Sequence, residues 1–135
     1  MKKILWSLLL LSAIVSADDF TTKVIKVHDG DTFTVQMTDE FTHKPLSVRI
    51  NHIDAPEYGG RAKCSSEKVN AQLAKTFLES LILDKEVVLH DVSKDKYGRL
   101  LATVTVDSVD VGKSLLEKHL VIGYEGKKKQ SWCNI

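Results

Sequence analysis

The chain has 135 residues, 43% of them hydrophobic and 27% charged, which suits one hydrophobic core and is too short for two. Its 19 lysines and arginines stand against 18 aspartates and glutamates, so attraction to nucleic acid through bulk charge is excluded and any positive surface must be local. No repeat, low-complexity block or interdomain linker divides the chain.

Residues 1–17 have the three parts of a secretory leader. Lys2 and Lys3 supply a positive start, Ile4 to Leu11 an apolar run, and Val15-Ser16-Ala17 a small-residue cleavage site. The apolar run is short for a membrane span and the chain turns polar at Asp18, with a retained N-terminal anchor as the alternative reading. The expected product is a single exported domain over residues 18–135, periplasmic or secreted, monomeric, and without stable membrane association once the leader is removed. Loss of Lys2 and Lys3 takes the 19 basic residues to 17 against 18 acidic ones, so this domain is close to neutral. Two cysteines remain, Cys64 and Cys133. In an exported protein such a pair most simply forms one disulfide, and neither has a partner at the short spacing of a metal site.

Thr22 to His28 reads as a strand, closed by the turn dipeptide Asp29-Gly30. Thr32 to Met37 is the return strand, and after a polar connection from Thr38 to Pro45 a third strand is expected over Leu46 to Ile53. Pro56 then fixes its own φ and pushes Ala55 toward extended backbone, so that Asp54 and Glu57 flank a stiff corner. Tyr58 to Lys63 is a loop with Gly59-Gly60 at its tip. Ser65 or Ser66 is placed to cap the following helix, with Glu67 favourable in its first turn. Val69, Leu73, Phe77 and Leu81 recur at intervals of four, with Ala74, Leu78 and Ile82 widening the stripe; Val69, Phe77 and Leu81 are expected in the core. The helix ends near Asp84. Glu86 to Val92 and Arg99 to Val106 are two further strands joined by a turn over Lys94 to Gly98. Val111 to His119 is a shorter helix, Val121 to Tyr124 is extended, and Lys127-Lys128-Lys129 before Trp132-Cys133 reads as a solvated run, with a role in holding a phosphate backbone as the lesser alternative.

This order predicts an α+β, mainly β chain: a five-stranded OB-fold barrel with a helix inserted after strand 3 and a short helix after strand 5. Barrel closure would also remove the exposed edges of a flat sheet.

Three segments place charge where strands begin or end. Asp29-Gly30-Asp31-Thr32 is by default a hairpin turn, but Gly30 also lets the backbone bend while Asp31 projects a carboxylate. Asp31 and Asp54 together offer the oxygen ligands a hard cation takes, at a spacing unlike that of an EF-hand loop. In Lys94-Asp95-Lys96-Tyr97-Gly98-Arg99, again a turn by default, Arg99 suits a bidentate grip on phosphate, Lys96 a point charge, and Tyr97 a hydrogen bond or a stack. His28 and His52 read as locally hydrogen-bonded strand residues, since hard-oxygen ligation needs no imidazole.

Val-Ile-Lys-Val-His-Asp-Gly-Asp-Thr, Val-Arg-Ile-Asn-His-Ile-Asp-Ala-Pro-Glu and Asp-Lys-Tyr-Gly-Arg, in this order and with a helix between the last two, resemble the thermonuclease (staphylococcal nuclease-like) family over about residues 21–125. The resemblance implies calcium-dependent cleavage of DNA and RNA with little base selectivity, leaving 3′-phosphates. By motif position it makes Asp31 and Asp54 the calcium carboxylates and Ala55 a backbone-carbonyl ligand, where many relatives have threonine. It makes Glu57 the general base and Arg49 and Arg99 the pair on the reacting phosphate. Lys96 and Tyr97 would lie near a terminal phosphate and Tyr124 beside the base. The chain lacks most of the long C-terminal helix of better-known relatives, and its loop after Glu57 is shorter. Arg49→Ala or Arg99→Ala would then abolish most turnover and leave the fold intact. The rival reading is a non-catalytic OB-fold module binding single strands or a protein partner. A third is an exported domain whose nuclease activity is incidental to DNA uptake. Carboxylates, base and arginines together favour the enzyme.

Overall fold

The computed structural model describes residues 19–133, and the expected leader over 1–17 lies outside the described residues. An antiparallel meander comes first: β1 (Phe20–Val27), β2 (Thr32–Thr38) and β3 (Pro45–Ile50). A two-residue strand β4 (Ile53–Asp54), a 3-10 turn over Gly59–Arg61 and helix α1 (Ser65–Ile82) follow. The remainder is β5 (Glu86–Lys94), β6 (Leu100–Val106), β7 (Val109–Asp110), α2 (Val111–Glu117) and β8 (Ile122–Gly123).

Strand order β3-β2-β1-β5-β6 closes on itself because β3 also pairs with β6, in parallel, from Val48↔Leu100 to Ile50↔Ala102. The result is a closed five-stranded mixed barrel, an OB-fold, with α1 inserted after the early strands. Closing so few strands demands sharp bends, and bulges supply them. β1 pairs with β5 through Phe20 to Lys23 and with β2 from Val24 onward, with a register shift between Val24 and Lys26. A second shift lies between His90 and Ser93 on β5.

Alternation along the strands fills the interior. Val24, Phe33, Val35, Val48, Val87, Leu89, Ala102 and Val104 have no exposed surface, and Leu78 and Ile82 of α1 join them. The helix face agrees with the expected one at Ala74, Leu78 and Ile82 and departs from it at Val69 and Leu73. Val69 and Leu73 are 60% and 53% exposed, while the buried stripe is Glu67, Ala71, Ala74, Leu78 and Ile82, with Phe77 and Leu81 at its margin. Two stripes of similar period run side by side on α1, and the one carrying alanines faces inward because the helix approaches the β1–β2 turn closely. Neither serine caps it: Cys64 is the N-cap residue, and no side chain bonds there.

Gly30 sets that approach. A Cβ on it would lie 2.6 Å from the Ala74 Cβ and 3.0 Å from the Ala55 Cβ. Gly30→Ala is therefore expected to cost roughly 1–3 kcal/mol by overpacking, read as a lower urea midpoint. An unchanged midpoint would mean that α1 is not pinned here.

The third strand also departs from expectation. It stops at Ile50, and Asn51 and His52 form a turn with His52 at φ 65° before the chain resumes as β4 against β8. The Asn51 side chain accepts from the His52 N–H at 3.0 Å, and the Arg49 side chain donates to the carbonyls of Ile50 and Ile53 at 2.8 and 2.9 Å. Side-chain bonds thus hold a turn that has neither glycine nor proline.

Candidate active site

Asp31 opens β2 and ties three segments together. Its backbone carbonyl accepts from the Ile50 N–H at 2.8 Å, its Oδ2 accepts from the Ala55 N–H at 2.8 Å, and its Oδ1 accepts from the Thr32 hydroxyl at 2.8 Å. The β2 start, the β3 end and the exit from β4 therefore meet at one residue. Arg49 Nη2 lies 3.4 Å from Asp31 Oδ2 and 3.4 Å from Asp54 Oδ1, with all three side chains less than a tenth exposed. The two carboxylates face one guanidinium.

Anionic crowding around them is severe. Burial, then the charge of Asp31 and its side-chain bond, and finally Glu57, push the Asp29 carboxyl up to about 7, although the Asp31 N–H bond opposes this. Glu57 lies past the corner at Pro56, its N–H donating to Glu67 Oε2 at 3.2 Å. Glu67 is 4% exposed and also accepts from the Lys63 N–H at 2.8 Å, so this first-turn carboxylate of α1 fixes the loop that carries Glu57.

Arg99 reaches the site from the β5–β6 turn. Asp95 holds it, accepting from its Nε at 2.7 Å and from its N–H at 2.9 Å. Burial alone would raise the Asp95 carboxyl, but the bonds from Arg99 and the Tyr97 N–H outweigh it and keep the group below its ordinary value. The Tyr97 ring is 5.3 Å from the Arg99 guanidinium carbon and 5.2 Å from Lys96 Nζ, and the residue is 72% exposed. Tyr124 is tied to the β3–β4 turn by its N–H bond to the His52 carbonyl, 2.9 Å, and its ring lies 5.9 Å from the Arg49 guanidinium carbon.

Two adjoining cavities result. One, of about 430 Å³, is lined by Arg49, Lys96, Tyr97, Arg99 and Tyr124. The other, of about 700 Å³, is lined by Asp54, Ala55, Glu57, Lys63, Lys128 and Trp132. Lys129 lines both. The site residues thus divide, with Asp54, Ala55 and Glu57 in the second cavity and the arginines in the first. Among the described residues no ion pair joins Arg99 or Lys96 to Asp31, Asp54 or Glu57.

Residues 47–132 match the family model for staphylococcal nuclease homologues. The chain belongs to this family. An uncharacterised endonuclease of Haemophilus influenzae is 31% identical over 127 residues, covering 92% of this chain and 65% of the relative. A probable endonuclease of Schizosaccharomyces pombe is 29% identical over 128 residues, covering 76% and 55%. An uncharacterised endonuclease of Escherichia coli O157:H7 is 27% identical over 119 residues, covering 87% and 70%. This staphylococcal nuclease homologue therefore spans somewhat over half to about two thirds of the length of these relatives.

Among the described residues no group of three or more His, Cys, Asp and Glu side chains is arranged to hold a metal ion by itself. Asp31 and Asp54 are nonetheless hard-oxygen donors in a crowded anionic corner, and calcium completes its shell readily with carbonyl, water and substrate oxygens. Asp54 Oδ1 also draws an ammonium, Lys129 Nζ, to 3.2 Å, and the same Nζ is 4.0 Å from Glu57 Oε1. Carboxylate and carbonyl oxygens are the donor types a divalent cation such as calcium takes.

Sequence reasoning missed Asp95, Glu67 and Lys129. Asp95 reads as a turn residue and Glu67 as a helix-start charge. Lys129, expected in a solvated run, stands among the site carboxylates. The Sγ atoms of Cys64 and Cys133 lie 2.11 Å apart with their Cα atoms 6.0 Å apart, and this bond draws the C-terminal segment across the site. His28 stays out of it: it bonds the Thr34 hydroxyl at 2.6 Å, and burial with Lys26 and Lys75 lowers its pKa, whereas His52 lines the first cavity.

Proposed function

We propose that the protein is an exported calcium-dependent nuclease that hydrolyses phosphodiester bonds of DNA and RNA with little base selectivity and leaves 3′-phosphates. The observation that carries this reading is the shared guanidinium: Asp31 and Asp54, from separate strands, face Arg49 at 3.4 Å each, on the wall of the cavity that Arg99 also lines. Family membership and the endonucleases among the relatives support it. The leader-like residues 1–17 and the Cys64–Cys133 bond support export, because disulfides persist in oxidising compartments.

Asp31, Asp54 and the Ala55 carbonyl would hold the calcium ion, whose chemistry when bound is Lewis-acid stabilisation of the phosphoryl oxygens. Arg49 is fixed by two backbone carbonyls and Arg99 by Asp95, so both guanidiniums are set before substrate arrives. As water adds to phosphorus, negative charge grows on the nonbridging oxygens, and such preset donors stabilise it. Glu57 accepts the proton of the attacking water. The P–O5′ bond breaks, the 5′-oxygen leaves as a hydroxyl after taking a proton from solvent, and the phosphate stays on the 3′ side.

Supercoiled plasmid and single-stranded RNA, each assayed with calcium and with excess chelator, test this. Cleavage is expected with calcium only, and Glu57→Gln is expected to lower turnover roughly 10²–10⁴-fold. Cleavage indifferent to chelator would remove the metal, and wild-type rates from Glu57→Gln would remove the base. Tight binding without any cleavage would leave a binding module.

A further inference from the structure

Two cavities flank the carboxylates, and a strand cleaved in its interior must leave the site on both sides. The first cavity offers cations and two aromatic rings. The second repeats that chemistry with different residues: Lys63 and Lys128 on its walls, the indole of Trp132 beside them, and Lys129 at the junction. Among the described residues the Trp132 indole N–H is the buried side-chain polar group that finds no acceptor. A part-exposed indole on a wall shared with ammonium groups suits a nucleobase stacked beside its own phosphates.

The acidic side of this cavity is largely occupied. Glu67 accepts from two backbone N–H groups, and Asp54 faces both Arg49 and Lys129. Glu57 is the more exposed carboxylate of this wall, with Lys129 Nζ 4.0 Å away, and Lys63 and Lys128 are the cations left to meet a polyanion. The wall is not a strand or helix: beyond β8 the chain crosses the site without regular structure, anchored at Cys133 to the residue that opens α1.

We propose that the cavity walled by Lys128 and Trp132 is a second nucleotide subsite, which binds the nucleotide across the scissile phosphate from the one held by Arg99, Lys96 and Tyr97. This rests on the nuclease reading above. Trp132 stacks the base, Lys128 meets the next phosphate, and Lys129, between the cavities, follows the backbone from one to the other. Substrates with a nucleotide on both sides of the cleaved bond bind better than those with one.

The test is kcat/KM on short oligothymidylates that carry a single cleavable linkage, each lengthened by one nucleotide at either end. Wild type is expected to gain from lengthening at both ends. Trp132→Ala should lose roughly 5- to 150-fold of the gain at one end only, the range set by one base–aromatic stack. Trp132→Phe should keep most of it, and Lys128→Ala, at an exposed residue, should raise KM for the same substrate with kcat unchanged. Equal gains for wild type and both truncations would overturn the subsite while leaving the nuclease reading intact. Faster cleavage by Trp132→Ala or Lys128→Ala would overturn it by making the segment a cover rather than a wall. No cleavage by wild type would fell the nuclease reading, and the subsite with it.

Discussion

Arg49→Ala and Arg99→Ala are expected to fail in different ways. Arg99 is one third exposed, and its pair with Asp95 is worth about 0–1 kcal/mol at such a site. Its removal should lower turnover by roughly 10²–10³-fold, the usual cost of one preorganised donor, with little change in urea midpoint. Arg49 is buried, and its loss strands Asp31 and Asp54 without their common counter-charge and the Ile50 and Ile53 carbonyls without a donor. Removing one partner of a buried pair costs about 3–5 kcal/mol, a large part of the ~5–15 kcal/mol that holds a domain folded. Of the two variants, Arg99→Ala is thus the one expected to keep near wild-type stability, while Arg49→Ala is expected to be strongly destabilised. Urea unfolding and initial rates on the same preparations check this. Arg49→Lys should recover part of the stability but not the rate, because the ammonium cannot make the fork. A folded Arg99→Ala with normal turnover would remove that residue from the mechanism, and wild-type stability in Arg49→Ala would deny the guanidinium its place between the strands.

What the sequence made legible follows a physical line. Alternation marked the strands of the meander because each buries one face, and Asp29-Gly30 marked their first turn. The parallel β3–β6 pairing that closes the barrel joins Val48 to Leu100, and no local pattern encodes so distant a contact. The helix stripe was misplaced only at Val69 and Leu73, because large apolar side chains outrank alanine in any hydropathy pattern, whereas Ala71 and Ala74 are inside and Ala74 packs against Gly30. The break after Ile50 was invisible because side chains of Asn51 and Arg49, rather than a glycine, hold it. At the site, motif order brought Asp31, Arg49 and Asp54 together, since each lies at a strand end whose place the barrel dictates. Lys129 had no such marker. Its only signal was indirect: if Cys133 bonds Cys64, the residues just before it must pass Glu57.

Reduction of that bond is expected to remove about 4 kcal/mol of stability, the loop-entropy value for the 69-residue separation it closes. Nearly all of α1, β5, β6 and α2 lies inside this loop, so the constraint acts on most of the unfolded chain. In the folded state the effect is local. The barrel closes through strand pairing that does not involve the last ten described residues, so it should survive reduction while the segment after β8 loosens. Urea unfolding with and without reductant, and of Cys64→Ser/Cys133→Ser, reads the first effect; hydrogen exchange reads the second. Amides of β1, β2 and β3 should stay protected under mild reduction while those near Trp132 exchange freely. A loss far below 4 kcal/mol with the segment still protected would mean that Lys129, through Asp54 and Glu57, holds the segment without the bond. Loss of barrel protection at the same point would make the tether part of the core.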